Sequence, residues 1–516
     1  MATPQEKQAD ALESLRELQE RGIVAIRSSD LTRTDRQLLV KIGFLQPVMK
    51  GWYIPACPDG AGGESTAWYA SFWEFCAAYL NERFGKEWSL TAEQSLSFHA
   101  GNRAVPTQLL VRSPHAKNNV TNLPFDTSLL DVTATLPIEG QRTELDGLRL
   151  FSVPAALIAC PPGYFAQRAT DARAALATIS DASDVLAALL DGGHSVVAGR
   201  LAGAFRNIGR ARIADDILKT MKAAGYEVRE NDPFDDVPAI QIPAREVSPY
   251  VNRVRLMWEE MRGTVVEKFP VAPGPVVDID SYMKAVEDTY VTDAYHSLSI
   301  EGYRVSRELI ERVRSGTWNP DEDDREHQDA LAARGYWQTY QVVRESVRRV
   351  LEGQNAGDVL GDDHGDWYRE LFAPSVAAGV IKASDLAGYR DSQVYIGGSK
   401  HVPPRKEAVR DLMPSFFELL REEEHPAVRI VLGHFVFVYI HPYLDGNGRM
   451  GRFLMNVMLA AGGYQWTVLP VNTRDRYMSA LEAASVDQNI GPFTDYLAEL
   501  VQAQQRGNPE AKGPTN

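Results

Sequence analysis

The stretch "IHPYLDGNGRMGR", residues 440–452, sets a histidine, an acid, two glycines around an asparagine, and two arginines in one short loop between two helical patterns. Upstream, Pro426 suits a first helical turn, and Val428, Val431, Leu432, Phe435 and Val438 or Tyr439 follow at helical spacing. Pro442 disfavours right-handed helical geometry at His441, so the helix is expected to end at Ile440 and the imidazole to project from an extended residue. An imidazole titrating near about 6.5 is a usable general base once its orientation is fixed. Gly446, Asn447 and Gly448 let backbone N–H groups approach an anion, and the helix expected over "RMGRFLMNVMLAAGG" adds the positive end of its dipole. A carboxylate beside such a nest repels phosphate unless a cation lies between them, so Asp445 reads as a ligand for Mg²⁺. Arg449 and Arg452, three residues apart, share a helix face and are expected to hold phosphate oxygens. The loop therefore implies a polyphosphate ligand and an attacking hydroxyl.

Taken singly, a DGNG is usually a tight turn and two arginines usually face solvent. The eight fixed positions of "HPxxDGNGRxxR" together are far less ordinary. They resemble the signature of Fic-domain enzymes, H-P-F-x-[DE]-G-N-G-R-x-x-R, with Tyr443 in place of Phe. The resemblance spans residues 248–502 and implies a helical fold that transfers AMP from ATP to a Tyr, Thr or Ser hydroxyl of a target protein or of the chain itself. It implies that His441 is the base, that Asp445 binds Mg²⁺, that Gly446–Gly448 with Asn447 hold the α- and β-phosphates, and that Arg452 takes the γ-phosphate. "VYIGGSKHVPP", residues 394–404, resembles the family's β-hairpin flap, in which Val394, Tyr395, Ile396, Gly397 and Gly398 would pair with the target's backbone. "RDRYMSALEAAS" resembles the helix closing the adenine pocket, with Tyr477 as its aromatic; Met478 and Ser485 stand where relatives often show Tyr and Asn. "SLSIEGY", residues 297–303, resembles the inhibitory motif [ST]-x-x-x-E-[GN], through Ser297, Glu301 and Gly302. Glu301 paired with Arg452 would withhold the γ-phosphate's partner. The same site admits two other readings: removal of AMP from a modified protein, and nucleotide sensing by a DNA-binding regulator.

The DNA reading comes from the other end of the chain. Residues 5–20 read as a helix, Ile23–Ile26 as a short β-prone run, and "SSDLTRTDRQLLVKIG" as a second helix capped by Asp30 or Thr32 and stopped by Gly43. "FLQPVMKGWYIPA" then reads as a hairpin wing, making a winged helix-turn-helix in which Arg33, Arg36 and Lys50 would contact phosphates. Together with "GGHSVVAGRLAGAFRNIGRARIADDILKTMKAAGY", the segment resembles AbiE-type antitoxins and transcriptional regulators, and Arg200, Arg206, Arg210 and Arg212 would extend a basic face.

The fold class expected is multidomain. A winged helix occupies residues 1–60, an α+β domain 61–240, an all-α Fic fold with its flap and inhibitory helix 241–505, and a disordered tail 506–516. "PFDDVPAIQIPARE" is the expected linker. A net charge of −15 excludes a chain basic all over, leaving only a local basic face for nucleic acid. Three cysteines, Cys57, Cys76 and Cys160, have no metal or disulfide spacing, and no run is long and apolar enough for a membrane, so a cytoplasmic protein without a membrane partner is expected. Mg²⁺, ATP and a hydroxyl-bearing target are the expected cofactor and partners, with DNA and a second copy of the chain as further candidates.

Overall fold

The computed structural model describes residues 3–58, 65–234, 239–240, 248–318 and 327–513; most of the Pro-rich linker lies outside them. The chain divides into two units, residues 1–253 with Tyr395–Val402, and residues 254–394 with Pro403–Asn516.

In the first unit, α1 (Pro4–Glu20) starts at a Thr3 cap, and β1 (Ile26–Arg27) leads to α2 (Arg33–Lys41). Thr32, not Asp30, caps α2 by accepting from the Asp35 N–H, while Asp30 accepts from the Arg27 N–H. β2 (Leu45–Met49) and β3 (Trp52–Pro55) form an antiparallel hairpin turned at Lys50-Gly51, and β1 pairs with β3. Leu15, Ile26, Leu39 and Leu45 close a small core beneath them. The helix α3 (Thr66–Phe84) is buried nearly all round, so its aromatics pack edge to face, Trp68 on Phe72 and Phe75 at 5.4 and 5.3 Å.

Beyond it come β4 (Ser89–Leu90), α4 (Ala92–His99), β5 (Gln108–Ser113), β6 (Val120–Leu123) and β7 (Thr127–Thr133). Their sheet has the order β4-β5-β7-β6, with β5 and β7 parallel. A hairpin of β8 (Arg142–Leu145) and β9 (Leu148–Phe151) precedes six helices: α5 (Val153–Ala159), α6 (Pro162–Gln167), α7 (Ala169–Ala177), α8 (Ser183–Asp191), α9 (Ser195–Asn207) and α10 (Ala211–Ala223). Over "LRLFSVPAALIAC" the strand ends at Phe151, because Pro154 in the first turn starts α5. Tyr395–Val402 folds with this unit: the Val105 N–H donates to the Lys400 carbonyl at 2.9 Å, and Val402 lies in the aromatic core.

The division falls inside α11 (Pro249–Lys268), and the second unit is helical: α12 (Ile279–Ile300), α13 (Arg307–Ser315), α14 (His327–Leu351), α15 (Ala356–Ala377), α16 (Lys406–Glu422), α17 (Pro426–Ile440), α18 (Asn447–Ala461), α19 (Arg474–Val486) and α20 (Gly491–Gln505). α17 ends at Ile440 as Pro442 requires, but its expected single stripe is a helix with 13 of 15 residues buried, the central rod of the bundle. α14 meets α15 at Gly335, where a Cβ would stand 2.0 Å from the Leu371 carbonyl oxygen.

Two expectations are corrected. No strand forms over residues 393–404; the flap segment is a turn at Gly397-Gly398 closed by the Ser399 N–H on the Ile396 carbonyl. Pro403 and Pro404 have no N–H for a ladder, and their carbonyls accept from the Gln393 and Arg390 side chains instead. The carboxyl-terminal tail is not free up to residue 513, since the Lys512 carbonyl lies 3.0 Å from His296 Nε2 and Ala511 is buried. Among the described residues no helix is long and apolar enough to cross a membrane.

Candidate active site

All groups described next belong to the second unit. α17 delivers His441 as its C-terminal cap. The residue is left-handed (φ 53°) rather than extended, because proline at 442 bars the right-handed region but leaves this one open, and the His441 N–H can still reach the Phe437 carbonyl at 3.0 Å. Nδ1 lies 3.1 Å from the Val438 carbonyl, which can only accept. The proton therefore sits on Nδ1, and Nε2 keeps the lone pair a base needs. Burial pushes the imidazole below its ordinary value; the bond to Val438 opposes this, Arg390 adds to it, and Glu301 and Asp445 oppose it.

The next turn is built by internal bonds. Gly446 is left-handed (φ 79°), and a Cβ there would meet the Phe372 ring at 2.8 Å, so glycine is required twice over. The Asn447 side chain accepts from the Tyr443 N–H and donates to the Tyr443 carbonyl, both at 2.9 Å. Its amide braces the loop through both bonds. Tyr443 stacks on Tyr368 at 3.9 Å, as a packed aromatic should. Asp445 keeps a side chain 66% exposed, with Oδ1 accepting from the Gly446 N–H and Oδ2 from Arg449 Nη2 at 3.2 Å. Arg449 is buried between the rings of Tyr303 and Phe372, at 5.2 and 5.1 Å, and orients Asp445 from there.

Arg452 points to residues 297–301. Its Nε donates to Ser297 Oγ at 2.8 Å, and its Nη2 donates to the Ser297 carbonyl at 2.9 Å and to Glu301 Oε1 at 2.6 Å. Glu301 caps α12, and the left-handed Gly302 (φ 92°) turns the chain away behind it. Burial alone would raise the Glu301 carboxyl, but Arg452 and Arg449 together outweigh it and hold the group below the usual carboxylate range. The carboxylate also covers the nest: a Cβ on Gly448 would stand 2.2 Å from Glu301 Oε1 and 3.2 Å from Arg452 Nη1, a nitrogen with no hydrogen-bond partner among the described residues. An anionic group thus occupies the ground next to the glycine at which the spacing placed a phosphate.

Asp445 fits the metal expected of it in one respect. Among the described residues no three His, Cys, Asp or Glu side chains gather to hold an ion. A lone open carboxylate suits Mg²⁺, which is commonly held by one or two carboxylates and completed by substrate phosphates and water. Tyr477 is buried, its hydroxyl 2.8 Å from His434 Nε2 and its ring beside Phe493 and Tyr496, so it supports the wall of α17 and α19. Val394 belongs to this unit and Tyr395, Ile396, Gly397 and Gly398 to the first.

One residue was not foreseen. Arg390 is buried, and its guanidinium and backbone N–H serve five carbonyls, including that of His441 at 2.8 Å. Its partners are main-chain atoms, so nothing in the residue types around it marks the role.

In the first unit, Arg33 and Lys50 are exposed, while Arg36 is turned inward to the Ser28 carbonyl at 2.6 Å and over the Tyr53 ring. The basic face expected further on is largely paired off. Arg200 is buried against the Cys160 carbonyl and Phe165, Arg206 binds Asp215 and Glu230, and Arg212 lies 3.8 Å from Asp216.

Residues 363–459 match the Fic/DOC family. The chain is 36% identical over 227 residues to a protein adenylyltransferase Fic of Drosophila erecta, covering 42% of this chain and 42% of that protein. It is 28% identical over 230 residues to protein adenylyltransferase fic-1 of Caenorhabditis briggsae, covering 43% and 41%. Among solved structures, Fic-1 (aa134–508) from C. elegans aligns with a TM-score of 0.37 at 19% identity, over 66% of this chain and 96% of that one. The matched region spans about two fifths of the length of these curated relatives. The residues that match that family, 363–459, include His441, Asp445, Gly446–Gly448 and both arginines.

Proposed function

We propose that the chain is a protein adenylyltransferase held off by its own α12. A Tyr, Thr or Ser hydroxyl of a target gives its proton to His441 Nε2, the oxygen bonds to the α-phosphorus of ATP, and the bond to pyrophosphate breaks on the opposite side. The Gly446–Gly448 backbone and the N-terminus of α18 stabilise charge on the phosphates, and Arg452 meets the γ-phosphate once it is free. Asp445, oriented by Arg449, would hold Mg²⁺, which when bound neutralises phosphate charge.

The observation that carries the reading is the 2.6 Å pair of Arg452 with Glu301, whose carboxylate sits over Gly448. With Glu301 there, the γ-phosphate loses both its cation and its room. Glu301→Gly should therefore increase incorporation of AMP-sized mass from ATP into the chain itself, read by intact-protein mass spectrometry beside CTP, GTP and UTP. Adding His441→Ala should abolish it. Unchanged incorporation in Glu301→Gly would remove the brake from the account, and incorporation independent of His441 would remove the base. The reverse reaction is separated by giving an AMP-modified target to chains with and without Glu301: loss of AMP that needs Glu301 would assign that residue to positioning water.

A further inference from the structure

Four backbone carbonyls of the second unit converge on one buried cation, and a fifth meets the backbone N–H of the same residue. Arg390 Nε donates to the His441 carbonyl at 2.8 Å, Nη1 to that of Ser392 at 3.0 Å, and Nη2 to Pro404 and, at 3.5 Å, to Ile440. Its backbone N–H donates to the Pro442 carbonyl at 2.9 Å. Residues 392 and 404 bracket the flap segment, and residues 440–442 are the end of α17 with the base. The last carbonyls of a helix have no partner of their own, and a cation there also answers the negative end of the dipole. His441 needs such support, since a left-handed residue other than glycine is held only where its surroundings over-determine it.

We propose that Arg390 is the positioning residue of the site: it ties the His441 backbone to both stems of residues 392–404 and so fixes where Nε2 stands. The fork geometry is what does this, because five in-plane N–H groups can satisfy several fixed acceptors at once and a lysine ammonium cannot. Around the imidazole the other charged groups are Glu301 and Asp445, and neither bonds the ring. The Val438 carbonyl takes the Nδ1 proton only while the His441 backbone holds its present angles, so the tautomer itself depends on Arg390. This inference rests on the transferase reading for its kinetic consequence, and on geometry alone for its spectroscopic one.

The test uses the full chain carrying Glu301→Gly, with ¹⁵N-labelled histidine and the His441 signals assigned by their loss in His441→Gln. With Arg390 present, His441 should show a single neutral tautomer protonated at Nδ1. Arg390→Met should mix the tautomers and lower kcat for AMP transfer about 100-fold, the scale of a misplacement near 1 Å, with KM for ATP within about twofold. Arg390→Lys, which keeps the charge and loses the fork, should fall between, and it remains the test if the methionine variant does not fold. A folded Arg390→Met or Arg390→Lys chain with the single tautomer and kcat within about twofold of its parent would overturn the inference. If the Glu301→Gly parent transfers no AMP, the transferase reading fails, and the tautomer measurement still decides Arg390.

Discussion

His441 and Arg452 show what a residue's neighbours decide. Burial holds the His441 imidazole neutral to below the 6.5 of an ordinary histidine, and Glu301 is one of the groups pulling it back up. The base form is present above the folded-state pKa and is lost as pH falls through it. In Glu301→Gly the opposing carboxylate is gone, so kcat/KM for AMP transfer, which reports the free enzyme, should stay flat from about pH 8 to about pH 6.5 and decline only on the acid side of that. An acid limb with its midpoint at or above 6.5 would contradict the burial argument. That His441, Asp445 and the glycines lie together was legible because covalent spacing alone keeps them within one short loop. The bonds that the loop makes within itself were not. Asn447 and Arg449 have the right chemistry for phosphate, yet Asn447 is spent on the Tyr443 backbone and Arg449 on Asp445 and two rings.

Among the elements, helical spacing located α17 and α18 on either side of the loop because apolar residues recur there at helical period. It could not tell that α17 is enclosed on every side, since an enclosed helix loses that period. The flap failed for a different reason: "VYIGG" has strand-forming residues, but strands need paired donors, and prolines 403 and 404 supply none. The crossing of α14 on α15 depends on a residue that spacing does not flag. A methyl on Gly335 would meet a backbone oxygen at 2.0 Å, which cannot rotate away as a side chain can. Gly335→Ala should therefore force the two helices apart and destabilise the second unit by about 1–3 kcal/mol, despite alanine's better helix propensity. Equilibrium urea unfolding would measure it, and a midpoint equal to or above the parent's would show that the crossing has slack.

At the scale of the molecule, the domain order read from the sequence took residues 394–404 as part of the helical half. The structure instead folds Tyr395–Val402 with residues 1–253. The reason is apolar burial: Val402 is 7% exposed within the cluster of Trp68, Phe72 and Phe75, and Tyr395 packs against the same cluster. Polar contacts add to it, with the Gly398 N–H on Thr66 Oγ1 at 3.0 Å and the Val105 N–H on the Lys400 carbonyl at 2.9 Å. Sequence distance hides all of these, since nothing in a local period links residue 66 to residue 398. The amides of 395–402 should then exchange with solvent as part of a folded unit, not as a surface loop. Val402→Asp buries a carboxylate without a partner, which costs several kcal/mol or forces the segment out. Backbone hydrogen exchange should rise across 395–402 and at Val105 together in that variant. Thr66→Ala, which removes one acceptor, should raise exchange only near Gly398. Full-speed exchange across 395–402 in the unaltered chain, or a Val402→Asp chain in which Val105 stays as protected as before, would show that the segment's burial among the first unit's aromatics does not hold it.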